Sequence, residues 1–555
     1  MPRPSPVKTC WKRSRPSWKR GSRSSRAVEG GTTEPPAGVI VPTFRFPRRS
    51  DLMATEYDVV VIGAGNAGLT AAATLARKGA RVIMLERHNI PGGCATSFCR
   101  GRFEFEVSLH QLSGMGTPEF PGPLQGLLQG LGVRDKLEFV RMEDLYRVMV
   151  PGRLDLVLPA DKGGVIGALQ GRFPAERENI GRFFDLVYRF FSEVISAFYM
   201  KDPEVTPEKY PLYFKYAFRD AQSVLDAHFT DPLLKLAVGI YWCYMGLPPR
   251  LLAFGDLAAI LFAYIELKPC HIKGGSQTLS NAIVDSFIGN GGHVRFNCGA
   301  EKIIVRDGAV RGVVTEHGDQ ITTRYVLSNA SPITTFLELI GRDDCPAVAL
   351  DELKGASYST SFFTIFAGLR CEPEAVGIAE ATNFICAQTD FDRDFALTRT
   401  LDCDESAFIM SCYDVSDPGF SPPGACQCAI VAMKYAEPWL QVPPERYAAE
   451  KYRCAEAILR RVEAHFPGFR EQIEEIEIAT PLTHLRYLAQ PGGSPYGFEQ
   501  HVKDSSFFRS PKPPLKGLYC AGAWYGQPGY QPTLASGVAA ARAILREMKA
   551  QEVKP

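Results

Sequence analysis

A continuous apolar run, Val59-Val60-Val61-Ile62, leads directly into glycines at GxGxxG spacing, Gly63, Gly65 and Gly68. Such a run is what a parallel strand buried on both faces requires. Leu69 to Lys78 then reads as an Ala-rich helix, and Ala80 to Leu85 as a second strand ending in Glu86. Each glycine has its own task in a unit of this kind: Gly63 makes the tight turn, Gly65 lets a pyrophosphate approach the backbone, and Gly68 lets helix and strand pack closely. Asn66 and Ala67 complete the turn, where free N–H groups and the helix dipole favour an anion. Glu86, with Arg87 beside it, stands where a carboxylate accepts bonds from a ribose diol. The expectation is an α/β dinucleotide-binding unit.

The rest of the chain must be read around that unit. Its 555 residues predict two structural domains. A net charge of +1 gives no reason to expect a nucleic-acid partner. Fifteen cysteines are scattered without a CxxC pair or a regular framework, which reads as reduced thiols in a cytosolic-type compartment. No cluster has metal-ligand spacing, so no metal is expected. Residues 1–53 differ in kind, being rich in Arg, Ser and Pro and poor in acid, and should be disordered. They read either as a transit segment, which would imply a plastid, or as sequence upstream of a start at Met53. The second reading is preferred.

Phe103 to Glu106 and Val107 to His110 read as short strands, Leu145 to Leu158 as a hairpin, and Gly164 to Glu266 as helices, among them Ile180–Ile195, Leu233–Tyr244 and Phe254–Ile265. Aromatic residues crowd the helical region (Phe183, Phe184, Tyr188, Phe190, Phe191, Phe198, Tyr199, Tyr210, Tyr213, Phe214, Tyr216 and Phe218), which fits either a helical core or the wall of a pocket for a long apolar ligand. Charges and prolines interrupt Leu233 to Leu267, and its longest clean run is too short to span a bilayer. An apolar face of this stretch dipping into one leaflet is the remaining membrane reading, for a peripheral protein of cytoplasmic type. A helix at Leu279–Ile288 and strands at Glu301–Val305, Val310–Glu316 and Ile321–Ser328 follow, with Ala300 the candidate for backbone contact to adenine. Alternation from Thr360 to Tyr435 predicts an antiparallel sheet with one packed face. A tight turn at Gly522-Ala523 precedes a last helix over Pro532–Met548, with Gln531, Pro532 and Thr533 at its start.

Three groups of motifs, VIGAGNAGL…LER…PGGCATSF, KGGSQTL…GG…GAEKI…VLSNASP and QPGGSPYGFE…GLYCAGAW…PTLASGVAAA, resemble the carotenoid isomerase and retinol saturase branch of the phytoene-desaturase-related flavoproteins. The resemblance implies FAD, with Gly92, Gly93, Thr96 and Ser97 forming a second glycine turn against the diphosphate and flavin. It implies an α/β chain, α+β overall, in which a Rossmann-type FAD domain (54–150, 268–340 and 486–550) is interleaved with a helical substrate or membrane-facing region (151–267) and a substrate-domain sheet (341–485). It implies an enzyme that adds, removes or rearranges double bonds of a hydrophobic polyene or isoprenoid, with an external electron donor or acceptor. Cys94-Ala95 stands where bacterial phytoene desaturases carry Arg-Ala, which favours the isomerase and saturase side. A saturase needs a proton donor, for which His110 and Tyr496 are the first candidates and His484 and Glu499 the next. Three rival readings remain open: an amine-oxidase-type flavoenzyme, a non-catalytic lipid-binding flavoprotein, and a prenyl-lipid reductase.

Overall fold

The computed structural model describes residues 56–504, 515–526 and 528–552; the expectation for residues 1–53 lies outside them. Val59–Ile62 is the centre of a five-stranded parallel sheet in the order Leu518–Cys520, Tyr325–Ser328, Val59–Ile62, Val82–Leu85, His293–Arg295. All four residues of the central strand are buried. Val59 and Val61 join a core made with helices Asn66–Ala76, Gly275–Gly289 and Tyr530–Glu552. Val60, pointing the other way, is equally buried. A three-stranded antiparallel sheet, Ala300–Arg306, Ala309–Thr315 and Gln320–Thr322, adjoins the strand Tyr325–Ser328.

The expected single strand Ile321–Ser328 is in fact two. Thr323 interrupts it, its hydroxyl donating to the carbonyls of Asp58 (2.9 Å) and Tyr325 (3.0 Å), and the halves enter different sheets. Val107–His110 is likewise not a strand. The buried Glu106 carboxylate accepts the N–H groups of Ser108 (3.3 Å) and Leu109 (3.2 Å), which folds the chain back around the carboxylate and prevents an extended ladder. Leu233–Tyr244 is two helices, Pro232–Gly239 and Trp242–Met245, with a break where the Tyr241 ring packs edge-on against Tyr146 at 4.9 Å.

A second sheet has seven strands, in the order Ile473–Ala479, Ser361–Leu369, Cys426–Lys434, Phe408–Cys412, Thr382–Ile385, Asp144–Val150, Leu154–Pro159. The hairpin 144–159 thus belongs to this sheet, and the pairing of Thr382–Ile385 with Asp144–Val150 is parallel in an otherwise antiparallel arrangement. The expectation of one packed face fails. Every residue of Cys426–Lys434 is buried, because helix Pro444–His465 covers one face (Ile430, Ala432) and a cavity wall occupies the other (Val431, Met433). The helices Lys162–Arg172, Arg177–Val194, Pro211–Tyr216, Ala221–His228 and Phe254–Glu266 form a third block. Asp161 and Asp220 each cap a helix in it by accepting a backbone N–H group, and Asp231 caps Pro232–Gly239 in the same way.

Candidate functional site

Both sheets and the helical block line one cavity of about 1990 Å³. Pockets for a single ligand fall at roughly 300–1,000 Å³, so this space is large enough for two. Its two ends differ in what their walls are made of.

At one end the wall is backbone. Gly63 has φ +91° and its N–H donates to Leu85 O at 2.8 Å, which turns the chain off the central strand. Gly92 N donates to Ala64 O (2.8 Å), bringing the second glycine turn onto the first. A Cβ on Gly93 would stand 3.3 Å from the Gly65 Cα, one on Gly65 2.6 Å from Asn329 Nδ2, and one on Gly522 2.5 Å from Asn329 Oδ1. Helix Asn66–Ala76 begins at Gly65 with no capping side chain and no acid in its first turn, and the buried Oδ1 of Asn66 lacks a partner within the protein. Uncapped N–H groups on a bare glycine floor are what a dinucleotide diphosphate needs. These residues fit the group.

Of the residues expected at the cofactor, Gly63, Gly65, Asn66, Ala67, Glu86, Arg87, Gly92, Gly93, Thr96, Ser97, Ala300, Gly522, Ala523, Gln531, Pro532 and Thr533 all line the cavity. Gly68 does not. Its Cβ would sit 1.9 Å from the Gly63 carbonyl, so its role is helix-to-strand packing. Glu86 is more occupied than expected, since its two oxygens accept Ala64 N and His88 N, each at 2.7 Å. Only its remaining lone pairs are available to a ribose. Thr96 is held by Gln277 at 2.6 Å, and Arg87 donates to Arg486 O at 3.0 Å.

Beneath this end lies a residue that sequence reasoning missed. Glu106 accepts Ser276 N (2.7 Å) and Ser276 Oγ (2.6 Å) in addition to Ser108 and Leu109, and so fastens the Lys273-Gly274-Gly275-Ser276 turn to strand Phe103–Glu106. A Cβ on Gly275 would fall 2.7 Å from Glu106 Oε2. The glycine pair followed by a serine was the available signal, and its acceptor lies 170 residues away.

At the other end the wall is side chain. Tyr244, Tyr264, Phe262, Phe362 and Met433 line it, with Phe191 and Tyr199 the only contributors from the expected aromatic cluster; Phe183, Phe184 and Phe190 are core. Helix Phe254–Glu266 explains its all-round apolarity here. Leu257, Leu261 and Ile265 face the core, while Ala259, Phe262 and Ala263 face the cavity. The apolar residues of this helix are therefore accounted for by the core and the cavity wall. Among the described residues, no helix is long and apolar enough to cross a membrane.

The candidate proton donors separate on geometry. Glu499 is not on the wall: it binds Arg399 at 2.8 Å, Tyr435 at 2.5 Å and His501 at 2.9 Å. Tyr496 is on the wall, but its hydroxyl donates to Cys243 O at 3.1 Å, and burial raises its pKa. His110 is on the wall with Nδ1 3.2 Å from the Tyr413 hydroxyl, and burial pushes it down to about 4. His484 also lines the cavity and is pushed by burial to about 4, with its buried Nε2 unpartnered. Both imidazoles are therefore neutral at pH 7. Burial drives the Cys94 thiol to about 12, which keeps it protonated beside an exposed Cys99. Among the described residues, no group of His, Cys, Asp and Glu is arranged to hold a metal ion.

Residues 61–121 match the NAD(P)-binding Rossmann-like domain, NAD_binding_8. Over 90% of its length the chain is 27% identical to prolycopene isomerase 2, chloroplastic, of an Oncidium hybrid cultivar, covering 86% of that protein. It is 22% identical to the all-trans-retinol 13,14-reductase of Danio rerio, over 84% of this chain and 82% of that one. Its curated relatives include prolycopene isomerases and all-trans-retinol 13,14-reductases. This bears out the branch that the motifs resemble. An oxidoreductase from Methanosarcina mazei superposes with a TM-score of 0.61 at 17% identity, covering 88% of this chain and all of that one. A putrescine oxidase gives 0.59 at 13% identity, covering 89% and 99%. At those identities the structural likeness is one of fold, and it agrees with the α/β architecture expected. The prolycopene isomerase and the retinol reductase are similar to this chain in sequence, over 90% and 84% of its length.

Proposed function

We propose that the protein binds FAD and acts on the double bonds of a hydrophobic polyene, as an isomerase or a saturase. The observation that carries this reading is the single cavity with a glycine floor at one end and an aromatic wall at the other. When bound, FAD supplies the two-electron chemistry that a hydrocarbon chain without ionisable groups requires. Gly65, Gly92, Gly93 and the open helix N-terminus would hold the diphosphate, Glu86 a ribose, and Ala300 the adenine. The last helix, starting at Tyr530 with no acid in its first turn, would present its positive dipole end to the ring system and favour negative charge there.

The remaining steps belong to the protein. Phe262, Phe362 and Met433 exclude water and align the chain of the substrate. His110 and Tyr413 form a neutral hydrogen-bonded pair at the wall, able to carry a proton inward without burying a charge. Tyr496 donates its proton to Cys243 O, and its role is to position the wall.

The test is anaerobic incubation of the protein, its flavin chemically reduced, with a polyene in detergent micelles, followed by mass and chromatographic retention. A gain of two hydrogens identifies a saturase; unchanged mass with altered retention identifies an isomerase. A protein that purifies without flavin, or that changes neither property of any polyene, would sink the proposal.

A further inference from the structure

We propose that the aromatic end of the cavity opens directly onto a lipid bilayer, through a docking surface formed by residues 195–218. The inference rests on the polyene reading, since it names where such a substrate enters. Helix Arg177–Val194 runs on as a π-helical turn, Ile195–Tyr199. Phe191, Ile195 and Tyr199, spaced by one turn each, line the cavity along one face of this helix. The same face continues out of the protein, for Tyr199 is both on the cavity wall and 65% exposed. Tyr199 therefore stands at a mouth.

Around that mouth the surface is apolar in a way the rest of this helix is not. Met200 follows at 76% exposure, and Phe198, Phe214 and Phe218 are exposed as well. Phe198 and Phe214 form one feature: the Phe198 ring packs on Tyr213 at 4.9 Å, Tyr213 on Phe214 at 5.2 Å, and helix Pro211–Tyr216 lies against Arg177–Val194. Large apolar side chains gathered on one surface mark an interaction site.

The fringe identifies the partner. Lys201, Lys215 and Arg219 are exposed around the patch and enter no ion pair among the described residues, while Lys209 is paired with Asp202 at 2.6 Å. The Lys215 ammonium and the Arg219 guanidinium both lie over the Tyr216 ring, 5.1 and 6.0 Å from its centre, at the level of the aromatic residues. Exposed aromatic and Met side chains with Lys201, Lys215 and Arg219 among them match the acyl region and phosphate level of a leaflet. Exposed Glu204 and Glu208 offset much of the positive charge, so insertion of the apolar residues, rather than attraction to anionic lipid, should dominate. A polyene dissolved in the acyl region would then pass Tyr199 without crossing water.

The experiment compares wild-type holoenzyme with Met200→Asp/Phe214→Asp, two outward residues that are not on the cavity wall. Flotation with phosphatidylcholine vesicles, alone or with phosphatidylserine, is expected to show wild type bound to both and the variant's partition reduced about 100-fold, roughly tenfold per lost side chain. Turnover of vesicle-borne polyene should fall at least tenfold in the variant, while turnover in detergent micelles and flavin content stay unchanged. Wild type that does not float, a variant that floats as well as wild type, or an equal loss in micelles would overturn the docking surface. Wild type that floats through these residues yet converts no polyene in either medium would leave the docking surface standing and overturn the polyene reading.

Discussion

At the dinucleotide end of the cavity the walls are peptide groups brought close by glycine; at the aromatic end they are large side chains delivered by a sheet and a helical block. A backbone wall tolerates almost nothing, because an added Cβ meets atoms that cannot move: the Gly63 carbonyl against Gly68, the Ala95 carbonyl against Gly92 at 2.0 Å. A side-chain wall can be recut residue by residue while the scaffold stands. One end fixes the cofactor class and the other is free to choose a substrate. That division accounts for relatives that share the fold over most of the chain and differ in the reaction named for them.

Four outcomes would sharpen or break this contrast. The largest effect is expected from Glu106→Ala, which leaves the donors of Ser108, Leu109 and Ser276 without their acceptor. It should cost about 3–5 kcal/mol in denaturant unfolding, with Glu106→Gln costing less. Gly68→Ala comes next, at about 3 kcal/mol, and should yield protein without flavin absorbance. A Gly68→Ala protein with normal flavin content would mean the backbone wall can yield, and the contrast would fail.

The third outcome concerns pH. Unfolded histidine titrates near 6.5, while His110 and His484 are held down at about 4. Between these values the unfolded chain binds more protons, so stability is fully present above pH 6.5 and drains away as pH falls towards 4. Each histidine contributes roughly 3 kcal/mol over that window. Urea unfolding from pH 7.5 to 4.5 should show the decline, and His110→Gln should remove about half of it, leaving the share of His484. The smallest effect belongs to Tyr496→Phe, which removes the bond to Cys243 O for about 1 kcal/mol, with turnover kept within a few-fold. A hundredfold loss of turnover at unchanged stability would instead make Tyr496 the proton donor.

The same contrast governs what could be read in the sequence. Gly63, Gly65, Gly68 and Glu86 are legible because their chemistry is local: spacing along a strand, a turn and a helix fixes where each lies. Tyr244, Phe362 and Met433 meet only after folding, and an apolar residue facing a cavity looks like one facing a core. Helix Phe254–Glu266 shows the ambiguity, its run of apolar residues fitting a leaflet as well as a wall until its two faces are seen to have different neighbours. Thr323 and Glu106 escaped for another reason. One polar side chain satisfying nearby backbone groups cut short a strand that propensity alone would extend.

The parallel sheet takes its strands from residues 59–62, 82–85, 293–295, 325–328 and 518–520. The last helix then crosses the first so closely that a Cβ on Gly537 would lie 2.1 Å from the Ala67 carbonyl. A chain emerging from the ribosome thus carries its glycine turn almost from the start, yet has no complete floor beneath it until the edge strand and final helix arrive. Contacts so distant in sequence form late and slowly. Acquisition of the dinucleotide becomes a test that only a finished chain passes, and a polypeptide cut short before Leu518 should remain apoprotein with every recognisable binding motif at its front end intact.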